Sequence, residues 1–285
     1  MYAIHIAGPY DYLLDVLKIE CSKCCGLCCT ALFFAKTDGF PTDKSAGQAC
    51  ENLDDKFNCK IHSSLNALGF KGCMSYDCFG AGQSVTQGTN ACINKADNHT
   101  SQERIYKIFH KVFMLRQMLW YLHEASSLAP AQELLTDIGY LIDENRKAEL
   151  CCLSGNCNCD FDEYRSRVNA ALKRASDMVV RVTGQAIAAK RTCDFIGKNF
   201  KMKNLDGADF SSALMIASRL EGCNLCGANF LGADVRDANV KNTDLSNCIF
   251  LTQGQVNSMC GNVRTKLPSM LTAPKQWGET EPNRT

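Results

Sequence analysis

Residues 193–252 read CDFIG KNFKM KNLDG ADFSS ALMIA SRLEG CNLCG ANFLG ADVRD ANVKN TDLSN CIFLT, twelve five-residue units without a break. Each unit has an apolar centre: Phe195, Phe200, Leu205, Phe210, Met215, Leu220, Leu225, Phe230, Val235, Val240, Leu245 and Phe250. Two residues before the centre stands a mostly small residue: Cys193, Ala208, Ala213, Ser218, Cys223, Ala228, Ala233, Ala238, Thr243 or Cys248, with Lys198 and Lys203 as exceptions. Asp or Asn fills most of the positions just before the centre. A period of five fits neither the 3.6 of a helix nor the 2 of a strand, so each unit must turn a corner. A large inward residue beside a small one keeps a narrow solenoid filled without overpacking it.

These units resemble the pentapeptide-repeat family, whose motif is A(D/N)LXX. The resemblance implies a right-handed quadrilateral β-helix with four units to a coil and both the centre and the small residue pointing inward. Twelve units then make three coils, stacked about 4.8 Å apart as neighbouring strands are. Repeat arrays need capped ends. The run QGQVNSMCGNV after Thr252 has the polarity and length of a short capping helix that closes the open end. Beyond it, Leu267 and Trp277 are expected to pack back, and the last eight or so residues to be mobile.

The other exceptional feature is 19 cysteines in 285 residues, too many for packing alone. Cys21, Cys24, Cys25, Cys28 and Cys29 fall within CSKCCGLCC, and Cys50, Cys59, Cys73 and Cys78 follow. Five thiols so close cannot all pair with one another as disulfides. Binding of a soft or borderline metal relieves the crowding, since zinc and iron–sulfur clusters both accept thiolates from Gly-containing turns, and Gly26 supplies such a backbone. The order of these nine cysteines resembles the zinc- or iron-chelating CxxCxxCC domain over residues 21–80, with Cys59, Lys60, Ile61 and His62 at its Cys-x-Ile-Tyr step. The head differs from that pattern by the additional Cys24, and His62 stands where the family has an aromatic residue. Which head cysteines ligate stays open. All nine are candidate metal ligands; two zinc sites, one iron–sulfur cluster with spare thiols, or a redox-active remainder are each compatible. His62 reads as a surface or hydrogen-bonded residue.

Between these ends, Ile105, Ile108, Phe109, Val112, Phe113, Leu115, Leu119 and Leu122 recur at helical spacing and predict a helix over 101–123. Two more are predicted over 131–149 and 162–182, and the three suit a small bundle. His110 and His123 read as helical surface residues. The segment FGAGQ at 79–83 lacks the GxGxxG spacing of a dinucleotide loop and reads as a plain tight turn. Between the second and third helices, CCLSGNCNC (Cys151, Cys152, Cys157, Cys159) is a weaker candidate for a second metal site. Cys92 carries no reading of its own beyond a small buried residue.

The whole chain therefore reads as an α+β protein in four parts: a cysteine-rich metal-binding module (1–98), a helical bundle (99–190), a pentapeptide β-helix (191–252), and a C-terminal cap and tail (253–285). This order of parts is similar to a family of bacterial pentapeptide-repeat proteins. A net charge of +1 gives no footprint for nucleic acid or an anionic membrane. The seven acids and six bases of the array also argue against DNA mimicry. No basic-then-apolar leader opens the chain and no apolar run approaches membrane length. A cytoplasmic protein is expected, in which clustered thiols bind metal rather than form disulfides. The functional expectation is a metal- or iron–sulfur-binding interaction scaffold with a protein partner on the β-helix, its oligomeric state open. The alternative is an iron-dependent redox or modification enzyme using the N-terminal site. No acid–base pair, nucleophile constellation, HExxH or phosphate loop supports the alternative, while the excess of cysteines favours it.

Overall fold

A computed structural model describes residues 3–89, 99–156, 159–184 and 193–278. Eight α-helices lie among them: α1 Leu13–Leu17, α2 Leu27–Ala31, α3 Lys71–Ser75, α4 Ala81–Thr89, α5 His99–Ser126, α6 Leu135–Leu153, α7 Phe161–Thr183 and α8 Gln253–Ser258. The chain divides into two compact units. One comprises Met1–Gly8, Glu124–Leu135 and Leu172–Thr285; the other comprises Pro9–His123 and Thr136–Ala171.

In the first unit every predicted apolar centre is buried, from Phe200 at 7% exposure to Met215, Leu220, Phe230, Val240, Leu245 and Phe250 at 0%. The stacking period is twenty residues: Asp194 pairs in parallel with Leu214, Asn199 with Arg219, Asn204 with Asn224, Asp209 with Asn229. Four units thus complete one coil. At each corner the carbonyl of the centre accepts the N–H three residues on, as Phe195 does from Lys198 and Phe230 from Ala233, both at 3.0 Å. The preceding Asx side chain accepts the N–H two residues on, Asp194 from Ile196 at 3.1 Å and Asn204 from Asp206 at 3.0 Å. These Asx turns explain why Asp and Asn dominate that position. The residue two after the centre takes a left-handed backbone at ten successive corners, with φ from 54° at Ala217 to 70° at Gly227.

The α+β expectation is not borne out as stated: the described residues form helices and a pentapeptide coil stack, without strands or a sheet. Among the described residues no pairing lengthens into a strand; the links are isolated parallel bridges. Corners every five residues leave one residue per side free to pair.

Two details of the array differ from the sequence reading. Cys193 is exposed rather than packed inward, as are Lys198 and Lys203. All three lie in the first coil, beneath which no coil stands among the described residues, and the lysine Nζ atoms instead lie over the rims of the core, Lys198 at 5.4 Å from the Phe195 ring centroid and Lys203 at 5.8 Å from that of Phe200. From Ala208 on, the small position is buried. The second difference concerns α8, which does not end the stack. It forms with a capping box between Thr252 and Gln255, and Gln255 donates to the carbonyls of Phe230 and Ala233 at 2.9 Å each. The chain then resumes stacking, Asn239 with Cys260 and Asp244 with Lys266. Thr265 is buried there and donates to the Val240 carbonyl at 2.9 Å. Trp277 packs back as expected, 4% exposed over Gly261; the tail beyond residue 278 lies outside the described residues.

The last turn of α5 and the N-terminal segment complete this unit. Glu124, 1% exposed, accepts the Phe250 N–H at 2.7 Å, and Asn247 accepts the Ile4 N–H at 3.4 Å. On another side, Ser176 of α7 accepts from Asn229 at 3.2 Å. Gly227 passes so close to α7 that a Cβ there would stand 2.7 to 2.8 Å from Thr183 and Val179.

In the second unit most of α5 and α6 and the first half of α7 are joined. Asn145 of α6 donates to the Leu115 carbonyl of α5 at 3.0 Å and to the Tyr164 hydroxyl of α7 at 2.9 Å, and that hydroxyl donates to the Leu141 carbonyl. α5 and α7 outrun their predicted ends by one to three residues, while α6 runs on to Leu153 but begins only at Leu135, the residues Ala129–Leu134 forming a 3-10 helix. Two local readings are corrected. His123 is not a surface residue: it is 1% exposed with Nε2 at 3.1 Å from Asp11. His110 is exposed as expected. FGAGQ is more than a turn, because α4 begins at Ala81 directly after Phe79 and Gly80 take positive φ. Arg116 makes that entry possible, donating to the carbonyls of Val16 and Phe79 while its Nε pairs with Glu149 at 2.8 Å.

Candidate metal centre

The cysteine-bearing segment is short of regular structure because its core is small. Phe34, Phe40 and Phe70 form a buried aromatic cluster, against which Leu32, Cys50, Ile61, Leu65 and Cys73 pack. Phe34 and Phe40 stack at 4.9 Å and Phe40 meets Phe70 edge-on at 5.0 Å. Around this cluster, chain segments that are distant in sequence are tied together: the Cys50 N–H donates to the Cys29 carbonyl at 3.0 Å, and Phe34 and Lys44 exchange both backbone hydrogen bonds.

The head cysteines lie on a 3-10 turn at 21–23 and on α2, which Gly26 opens from a left-handed backbone at φ 65°. Cys28 and Cys29 have their sulfurs 3.9 Å apart. The Cys24 sulfur accepts the N–H groups of Leu27 and Gly26, the Cys78 sulfur those of Gly82 and Gly80, and the Cys59 sulfur that of Ile61. Gly82 is required by proximity: a Cβ there would lie 2.7 Å from the Cys24 sulfur. Cys25 differs from the rest. It is buried, and both its N–H (3.1 Å) and its sulfur (3.2 Å) meet Thr86 Oγ1 on α4.

Electrostatics separate these thiols. Burial pushes Cys21 up to about 11 and Cys73 up to about 12, with further upward pressure from the neighbouring sulfurs. Cys28 is raised well above its ordinary value, first by its hydrogen bond with Cys29 and then by burial. That same hydrogen bond lowers Cys29 to about 7, aided by the Lys44 ammonium. Lys44 is 8% exposed and donates to the Leu32 carbonyl at 2.5 Å and to Ser45 at 3.2 Å. Burial lowers its pKa, while Cys50, Cys29, Cys28 and Cys73 oppose that. Thiols held neutral by burial are the state that a cation reverses, since a metal supplies the charge that makes thiolates stable.

The candidate donors are sulfurs, with Asp77 beside Cys78; His62 is exposed. Such a set fits zinc or an iron–sulfur cluster rather than a hard cation. Among the described residues no three Cys, His, Asp or Glu side chains are drawn together closely enough to hold an ion, so ligation requires the sulfurs to close in. Elsewhere, consecutive positions on α6 send Cys151 outward and Cys152 into the core. Cys159 is half-buried, and Cys157 and Cys92 lie outside the described residues. Cys226 is half-buried on the coils with its N–H donated to Asp206 at 2.9 Å. Sequence reasoning missed Lys44, Thr86 and the close approach of Gly82; a lysine or threonine carries no spacing signal toward a thiol cluster.

The family model for pentapeptide repeats matches in 8 copies, over residues 193–230, 204–242 and 213–250. The chain belongs to the pentapeptide-repeat family. The uncharacterized protein YybG of Bacillus subtilis (strain 168) is 36% identical to it over 271 residues, 94% of this chain and 97% of the relative, so that likeness spans cysteine segment, helices and coils alike. No solved structure matches. No helix among the described residues is long and apolar enough to cross a membrane.

Proposed function

We propose that this pentapeptide-repeat protein is a metal–thiolate protein: its N-terminal cysteines bind zinc or an iron–sulfur cluster, and its coil stack is a rigid platform for a protein partner. The supporting observation is convergence. The Cys28 and Cys29 sulfurs lie 3.9 Å apart, the Cys50 N–H donates to the Cys29 carbonyl at 3.0 Å, and Cys50 and Cys73 pack on one aromatic cluster, although they come from distant parts of the segment. Thiols that are for the most part half-buried gain from a soft cation that stabilises their thiolates. For the platform, the coil stack exposes Ile196, Leu214 and Met202, apolar groups a protein partner would cover.

The double variant Cys28→Ser/Cys29→Ser tests the metal reading. It is expected to lose metal and to destabilise the cysteine segment while the coil stack keeps its circular dichroism. Unchanged metal content would overturn the assignment.

A further inference from the structure

We propose that one side of the coil stack, built from residues 198–202, 218–222 and 238–242 with Lys203 at its edge, is a docking surface for an acidic protein segment that also carries apolar side chains. This rests on the platform reading of the coil stack and gives its partner a chemistry; the metal reading plays no part in it.

A segregation of charge, concealed by the near-neutral total of the array, carries the proposal. With four units to a coil, every fourth unit falls on the same side. Asn199 pairs with Arg219 and Arg219 with Asn239. The Met202 N–H donates to the Glu221 carbonyl at 3.0 Å, which puts Lys201, Glu221 and Lys241 in a neighbouring column. Of the six bases in the array, Lys198, Lys201, Lys203, Arg219 and Lys241 lie on this side. The sixth, Arg236, stands on an adjoining side and binds Asp234 at 2.7 Å. Of the seven acids only Glu221 shares the side, with Asp237 at its corner two coils above the three lysines. The Glu221 side chain is 15% exposed and accepts from Asn239 at 2.9 Å and from Arg219 at 3.4 Å. Lys198, Lys201, Lys203 and Arg219 are exposed. Coils stacked about 4.8 Å apart hold these charges close together, and such a field favours carboxylates over any other protein group.

The neighbours of the basic groups select a protein over a nucleic acid. Met202 lies between Lys201 and Lys203 and is 74% exposed, its sulfur over Gly222, where a Cβ would stand 2.5 Å away. Ile196, 54% exposed, lies across the corner from Lys198. A phosphodiester backbone offers nothing to cover these apolar groups, whereas a segment that mixes acidic and apolar side chains covers both, and methionine adapts to what it meets. Phe195 and Phe200, the rings nearest the lysines, are buried, so neither is offered to a base for stacking. Four of the five cations are lysines, point charges rather than the forks that bind phosphate in two places.

The test is fluorescence anisotropy of the full chain with three labelled probes of equal length: a repeating Glu-Glu-Leu peptide, an oligoglutamate and a single-stranded oligothymidylate. The Glu-Glu-Leu peptide is expected to bind most tightly, and less so as salt rises. Lys198→Glu/Lys201→Glu/Lys203→Glu should weaken it by about tenfold or more, each exposed pair being worth up to a few-fold. Lys107→Glu/Lys147→Glu/Lys173→Glu, the same change of charge on exposed helical lysines, should leave it within about twofold. Met202→Ser should weaken the Glu-Glu-Leu peptide and spare the oligoglutamate. Oligothymidylate bound as tightly as the peptide, or a salt-sensitive dimer of the chain that the first triple variant disperses, overturns the assigned occupant. Peptide binding that the first triple variant retains, or that both triple variants lose alike, overturns the surface while the platform reading stands. No binding of either peptide overturns both. The order of the three probes on the unaltered chain decides the matter even if the first triple variant fails to fold.

Discussion

The carboxylate of Glu124 accepts the backbone N–H of Phe250 at 2.7 Å inside the first unit, where both residues are buried. Phe250 is the last apolar centre of the array, and its N–H would otherwise wait for a coil that the helical excursion at α8 diverts. A side chain from α5 supplies the acceptor. His5 Nε2 shares the same carboxylate oxygen at 3.2 Å.

Glu124→Leu should therefore destabilise this unit by about 1–3 kcal/mol, the cost of a buried N–H left without an acceptor. Glu124→Gln keeps an acceptor and should lose less. Thermal denaturation followed by circular dichroism distinguishes the two; equal melting of both variants and the parent would show that the contact contributes nothing.

Phe230 is fully buried and lies 5.4 Å from Phe210, centroid to centroid, one coil below. Phe230→Ala should cost about 3–5 kcal/mol through lost burial and the cavity left behind. Phe210→Asp should unfold the stack, because it places a charge in a core too narrow to hydrate it. Unaltered melting of a soluble Phe210→Asp protein would contradict the inward register.

The corner residues predict opposite signs for reciprocal substitutions. Ala217 holds φ 54°, so Ala217→Gly should raise stability, by up to about 1 kcal/mol, once strain is relieved. Gly227 holds φ 70° and abuts Val179 and Thr183, so Gly227→Ala should lower it. Denaturant midpoints read both changes, and a stabilising Gly227→Ala would refute the close approach of α7.

Asp234 is held below the usual carboxylate range, first by its hydrogen bonds from the Arg236 side chain. A carboxyl with a depressed folded pKa contributes stability that is present above its ordinary value and lost as pH falls through the lowered one. Melting temperature should accordingly decline as pH drops below about 4, and the decline should be shallower in Asp234→Asn. An identical pH profile would show that this pair is too exposed to matter.

Most of the coil stack was legible because its physics is local: a centre such as Phe210 buries itself, and an Asx such as Asn204 caps its own corner. What escaped was set by distance. Lys198 and Cys193 break or leave the inward pattern at the first coil of the array, beneath which no coil stands among the described residues, which five-residue spacing does not reveal. The return of the chain at Cys260 and Lys266 lacks the apolar centre that marks a unit, and depends on pairing with Asn239 and Asp244 across α8. The cysteines were legible as a group from their density. Which of them approach one another was not, since Cys50 and Cys73 are brought together by an aromatic cluster assembled from Phe34, Phe40 and Phe70. His123 was misread because Asp11, its partner, is more than a hundred residues away.

The most direct measurement is metal and acid-labile sulfide content, with an absorption spectrum, on protein purified without oxygen and without a metal-affinity tag. Stoichiometric zinc, or iron with sulfide and a broad thiolate-to-iron band, is the predicted result. Metal-free protein that binds neither on reconstitution, and melts identically with and without them, would contradict it.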